Sequence, residues 1–125
     1  MKKKVLSAIC AALLLIGSAV NVFAYEQSEE FGPSGKESTA TMTWSAGSVT
    51  AKNSKNSNAT YNYCKAYINY DNGDYVSKYN SSTTTAITAK ATHSSYPSGA
   101  TKIDSYSTYH KITVGGTNYT TTLSD

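Results

Sequence analysis

The chain reads as an all-β protein, a small antiparallel β-sandwich of about six to seven strands. Three observations carry this reading. Apolar and polar residues alternate with a period of two, as where Ala40, Met42 and Trp44 are set against Thr39, Thr41 and Thr43, which is the pattern of a strand with one buried face. Turn signals recur at the roughly 8–12-residue spacing of sandwich folds, among them Asn72-Gly73 and Gly115-Gly116. Outside the first two dozen residues no segment shows a 3.6-residue apolar period, so no helix is expected in the domain.

The first element is a leader. Lys2-Lys3-Lys4 precede an apolar run from Val5 to Val20 and a V-x-A site at Val22-Phe23-Ala24. A basic start, an apolar middle and small residues at the end make a secretory signal peptide, helical and cleaved after Ala24. The run is too short and too early for a membrane anchor, so the mature chain is expected to be secreted, extracellular and without a membrane span. Residues 25–37 are acidic, carry Gly32-Pro33-Ser34-Gly35 and lack apolar periodicity, which predicts a flexible N-terminal arm. The sandwich domain is then 38–125.

Within it, Ser38 starts a half-buried strand, Ser45-Ala46-Gly47 turns into a shorter one, Ser48–Lys52, and Asn53–Asn58 forms a polar loop. A tyrosine-rich hairpin follows at Ala59–Tyr79. Thr83–Thr92 is rich in β-branched residues, and such side chains favour extended backbone because they are stiff at χ1. Ile87, Ala89 and Ala91 share its buried face. Ser94–Ala100 is a turn-rich connection. Thr101–Val114 carries apolar groups around Ile103 and at His110-Ile112-Val114, with a bulge near 105–108, and Gly115-Gly116 closes a second hairpin into Thr117–Leu123. The core must be built from one leucine, four isoleucines and three valines after residue 24, with alanines, Trp44 and tyrosines filling the rest.

The formal charge of +3 resides in the leader lysines, and the remainder balances lysines against acids. Arginine, the preferred side chain for bidentate phosphate and guanine contacts, is absent. Nucleic-acid binding is therefore not expected. Cys64 is the only cysteine after the leader, so no intramolecular disulfide forms in the domain, and burial as a small hydrophobe is expected. The expected state is a monomer.

Candidate chemistry is sparse. His93 and His110 stand in different elements without metal-ligand spacing, no G-x-S-x-G elbow appears, and Asp71 and Asp74 flank a turn, where aspartate caps its own backbone. Asp104 has no sequence neighbour that marks it as half of a glycosidase pair. No catalytic residue, metal or cofactor is assigned, and an enzyme is not expected.

The tyrosines are the stronger signal. Asn-Gly between β-forming runs points to a two-residue type I′ turn, since both of its central residues need φ > 0. That register sets Asp71 opposite Asp74, Tyr70 opposite Tyr75, Ile68 opposite Ser77 and Ala66 opposite Tyr79. Cys64, Ala66, Ile68, Tyr70, Tyr75, Ser77 and Tyr79 then face the core, and Tyr61, Tyr63, Lys65, Tyr67, Asn69, Val76 and Lys78 face out. A flat, displayed row of aromatics interleaved with lysine suits sugar rings or a docking partner. Tyr61, Tyr63, Tyr67, Lys65 and Lys78 are thus the candidate ligand-binding residues.

Two resemblances add to this. The run Ser105-Tyr106-Ser107-Thr108-Tyr109-His110-Lys111-Ile112-Thr113-Val114-Gly115-Gly116-Thr117 resembles small secreted β-proteins of Gram-positive, mainly clostridial, bacteria. More distantly, Ser38-Thr39-Ala40-Thr41-Met42 and Ala89-Lys90-Ala91-Thr92 are similar to pieces of the lactococcin-type bacteriocins, β-sandwiches implicated in binding a cell-wall precursor. The chain departs from these in its greater length, its single tryptophan and its lack of their aromatic C-terminal end. The resemblance implies a secreted Gram-positive β-sandwich and hints at antibacterial action. The expected function is non-enzymatic binding of cell-wall or other extracellular glycans, or of another cell-envelope target, through the tyrosine face. The alternatives are a bacteriocin-like antibacterial protein and a self-assembling structural protein whose tyrosine- and asparagine-rich strands pair edge to edge.

Overall fold

The computed structural model describes residues 24–125; the expected leader, Ala24 apart, lies outside the described residues. The described residues form eight strands and no helix. They are β1 over 24–31, β2 Ser38–Ser45, β3 Ser48–Asn53, β4 Ala59–Tyr70, β5 Tyr75–Ser82, β6 Ile87–Thr92, β7 Ile103–Val114 and β8 Thr117–Ser124. Two antiparallel sheets of four described strands, ordered β1-β2-β3-β6 and β5-β4-β7-β8, pack face to face. No helix among the described residues is long and apolar enough to cross a membrane.

The expected flexible arm is corrected. Residues 25–31 pair in register with β2, from Tyr25 opposite Trp44 to Phe31 opposite Ser38. Gly32-Pro33-Ser34-Gly35, which suggested a loose tail, makes the turn between the two strands, and the Lys36 amide donates to the Pro33 carbonyl at 2.9 Å. The alternation of β1 was hidden because Glu29 occupies one of its inward positions. Glu29 and Phe31 are both buried.

Between the sheets lie Met42, Val49, Ala51, Cys64, Ala66, Ile68, Ala89, Ala91, Ile112 and Leu123, all buried, with Trp44, Tyr106 and Tyr119 packed at the margins. The strongly alternating strands bury the residues expected of them: Ala40 and Met42 in β2, and Ile87, Ala89 and Ala91 in β6. Cys64 is a free, buried thiol, and desolvation pushes its pKa up to about 11. Gly115-Gly116 closes the β7–β8 hairpin as expected, with both glycines at positive φ.

Two boundaries differ from expectation. The threonine run 83–85 is a turn, and the strand begins only at Ile87. There the hydroxyls compete with the ladder for backbone partners: Ser82 Oγ donates to the Thr85 carbonyl at 3.0 Å, and Thr85 Oγ1 donates to Ser82 Oγ at 2.9 Å. The β4–β7 ladder runs unbroken from Ser105 to Thr113, and its irregularities fall at Asp104 and Thr60 instead of within 105–108.

A polar network spans the core. His110 of β7 is fully buried. Asn53, at the end of β3, donates its amide to Asn62 Oδ1 at 2.7 Å and to the Tyr63 carbonyl at 2.8 Å. Its own Oδ1 is therefore left to accept from His110 Nδ1. His110 Nε2 in turn accepts from the Thr108 hydroxyl at 2.7 Å. Every ring nitrogen is satisfied by a neutral imidazole, and burial pulls its pKa down to about 3. The network ties one sheet to the other through directional bonds, where the alanine-rich core supplies little side-chain bulk.

Candidate functional site

The tyrosine face is set by the β4–β5 hairpin, and its register is one residue away from the expected one. Asn69 pairs with Tyr75, Tyr67 with Ser77, Lys65 with Tyr79 and Tyr63 with Ser81. Within this turn Gly73 alone takes positive φ, at 89°, and among the described residues no non-glycine residue does. Asn72 therefore does not complete a type I′ turn. Instead the Gly73 amide donates to the Tyr70 carbonyl at 3.1 Å and the Tyr70 amide donates to the Asp74 carbonyl at 2.9 Å. This is a type I turn followed by a glycine bulge, the three-residue hairpin loop. Asn72 accepts from the Asp74 amide at 3.0 Å through its side chain, the local bonding that favours this conformation. Asp71 is an anchor for the neighbouring loop: its carboxylate accepts from the Thr101 amide at 2.9 Å and from the Thr101 hydroxyl, bonds that hold its pKa below the ordinary value.

A one-residue slip moves every side chain of the slipped strand to the other face. Tyr75 and Tyr79, expected in the core, are displayed at 59% and 68% exposure. Val76 and Lys78 move the opposite way. Lys78 pairs with Ala66 and so lies on the inner side of the sheet, at its exposed edge, away from the tyrosine row. It is withdrawn from the candidate site. Tyr61, Tyr63, Lys65 and Tyr67 remain where they were expected, because the alternation of β4 itself, with Cys64, Ala66 and Ile68 buried, fixes their side.

The β4–β7 register adds residues that the hairpin alone did not suggest. Tyr109 lies opposite Lys65, and Lys111 opposite Tyr63. The outer face thus gathers six tyrosines, at 61, 63, 67, 75, 79 and 109, with Lys65 and Lys111. Tyr109 and Lys111 were legible in part, since they alternate with the apolar series His110, Ile112 and Val114.

The rings touch. Tyr63 is the hub: it packs against Tyr61 at 6.3 Å between centroids and against Tyr79 at 5.8 Å, with nearly parallel planes, and meets Tyr109 edge-on at 6.1 Å. Tyr67 and Tyr75 form a second, edge-on pair at 5.6 Å. The Lys65 ammonium stands 4.9 Å from the Tyr67 centroid and the Lys111 ammonium 5.7 Å from that of Tyr61, within cation–π range. The Tyr67 hydroxyl raises the pKa of Lys65, and desolvation among its neighbours raises that of Tyr63. Both shifts favour the protonated forms, a neutral Tyr63 phenol and a cationic Lys65. The face is not the level platform expected. Tyr109 stands across the row, and a cleft of about 240 Å³ opens between Tyr61, Tyr63, Tyr109 and Lys111.

The other candidate groups do not assemble. His110 is locked in the core, and His93 lies in the loop after β6. Among the described residues no three His, Cys, Asp or Glu side chains converge on a point where they could hold a metal ion. The chain matches no protein-family model, no curated protein and no solved structure.

Proposed function

We propose that this is a secreted, non-enzymatic β-sandwich that binds cell-envelope or other extracellular glycans through the outer face of its β5-β4-β7-β8 sheet. The observation that carries the reading is the set of six tyrosines, four gathered around Tyr63 and a Tyr67–Tyr75 pair, on one face of a sheet whose other face is core. Buried on one side and wet on the other, these rings offer apolar faces next to hydroxyl donors and acceptors. That combination matches sugar rings, which present C–H faces and hydroxyl rims. The near-neutral charge of residues 25–125 favours an uncharged or weakly charged ligand over a polyanion. A contiguous exposed aromatic patch is also uncommon on a protein with no use for it.

The test is retention on insoluble peptidoglycan. Tyr63→Ala removes the ring that touches three others, and Tyr61→Ala opens one wall of the cleft. Both positions lie on the outer face, so the sandwich is expected to fold unchanged by circular dichroism. Base-stacking tyrosines set the scale: a lost ring costs about 1–3 kcal/mol, which predicts a fall in retention of at least about fivefold. Retention equal to the unsubstituted domain in both variants contradicts the assignment.

A further inference from the structure

A second cavity, of about 220 Å³, lies at the end of the sandwich beneath the loop after β6, with Tyr70, Tyr75, Val76 and Pro97 as walls. The hydroxyl-bearing residues Thr92, Ser94 and Ser95 complete the lining, and no charged side chain takes part. The walls are tied in place from several directions. The Tyr70 hydroxyl is hydrogen-bonded to His93 Nδ1 at 2.9 Å, and the His93 ring packs on Tyr96 at 4.4 Å. The His93 amide donates to the Gly47 carbonyl at 2.8 Å. Asn72 donates to the Ser98 carbonyl at 3.1 Å and Asp71 binds Thr101, so the hairpin turn holds the far end of the loop. A pocket built this way is formed before any ligand arrives, which lowers the ordering cost of binding.

Tyr75 belongs to both places. Its ring meets Tyr67 on the outer face and also lines the cavity. The tyrosine row therefore continues into the pocket. We infer that the pocket is an end-binding subsite, which takes one terminal sugar unit of a glycan whose following units lie along the tyrosine face. This rests on the glycan reading above and adds to it a polarity and a length preference. Size supports a single unit: at about 30 Å³ per water, the space holds roughly seven waters, enough for one six-membered sugar ring and not two. The chemistry supports a neutral sugar, since aromatic and aliphatic walls face its C–H groups while the serine and threonine hydroxyls both donate and accept.

The experiment separates this inference from the reading beneath it. Ser95 and Ser94 are exposed lining residues on the loop, so Ser95→Trp and, independently, Ser94→Trp fill the pocket and leave Tyr61, Tyr63, Tyr67, Tyr79 and Tyr109, which do not line it, in place. Binding is measured by calorimetry with N-acetylglucosamine and its short soluble oligomers, and by retention on insoluble peptidoglycan. The expected result is a loss of at least about tenfold (about 1.4 kcal/mol) for the soluble sugars in both filled variants, with peptidoglycan retention within about twofold of the unsubstituted domain. Soluble-sugar affinity unchanged in both, while Tyr63→Ala still abolishes retention on peptidoglycan, overturns the end subsite and leaves the face reading standing. Failure of the unsubstituted domain to bind peptidoglycan or any soluble sugar overturns both.

Discussion

His110 is held as a neutral imidazole between Asn53 and Thr108, and its pKa lies near 3 against about 6.5 in an unfolded chain. Between those values the unfolded chain binds a proton that the folded one refuses. Stability is therefore full above about pH 6.5 and declines as pH falls toward 3. The limiting slope is about 1.4 kcal/mol per pH unit, on the order of 5 kcal/mol over the whole window. Urea unfolding between pH 7.5 and 5, above the range where carboxylates titrate, should show this slope, and His110→Gln should flatten it while lowering stability at neutral pH. A pH-independent midpoint over that range in the unsubstituted domain contradicts a buried neutral imidazole. The burial of His110 was legible, because it alternates in phase with Ile112 and Val114. Its partner was not: Asn53 lies 57 positions away in a run with no apolar residue, and nothing in that run distinguishes a solvated asparagine from a buried one.

At the scale of the element, the hairpin turn shows how far a short motif carries. Asn72-Gly73 located the turn but left its length open, because one positive-φ residue serves a three-residue bulged loop as well as half of a type I′ turn. The strand period of two then converted that single residue into a wrong face for all of β5. β4 was immune, since its own alternation of Cys64, Ala66 and Ile68 with tyrosine and lysine sets its sides without help from the turn. β1 was missed for the converse reason: an acidic residue at an inward position erased the period. Glycine substitutions test these turns. A Cβ at Gly73 meets nothing within 4 Å, so Gly73→Ala should lose only the cost of a left-handed alanine, about 1–2 kcal/mol, in chemical denaturation. Gly32 has φ 121°, and its Cβ would fall 2.9 Å from Ile112 Cδ1 in the core, so Gly32→Ala should cost more. Equal stability of Gly73→Ala and the parent contradicts the glycine-bulge turn.

Taken whole, the molecule is a sandwich in which one sheet has a dry face and an aromatic wet face. The sandwich class was readable from alternation and turn spacing alone. The candidate site was half readable: Tyr61, Tyr63, Tyr67 and Lys65 came from β4, but Tyr75 and Tyr79 depended on a turn length, and Tyr109 and Lys111 on a pairing between strands some 40 positions apart, which no local pattern encodes. The register that withdraws Lys78 also adds Tyr75 and Tyr79 to the three expected tyrosines and brings the face to the rim of the end pocket, and the β4–β7 pairing adds Tyr109, so the same correction strengthens the glycan reading. The most direct measurement is an NMR titration of the domain, with labelled tyrosine rings, against soluble peptidoglycan fragments. The ring signals of Tyr61, Tyr63, Tyr67, Tyr75, Tyr79 and Tyr109 should shift saturably together, while Tyr106 and Tyr119, packed against the core, stay still. No shift at saturating fragment, or shifts confined to tyrosines off this face, would contradict glycan binding by the outer sheet.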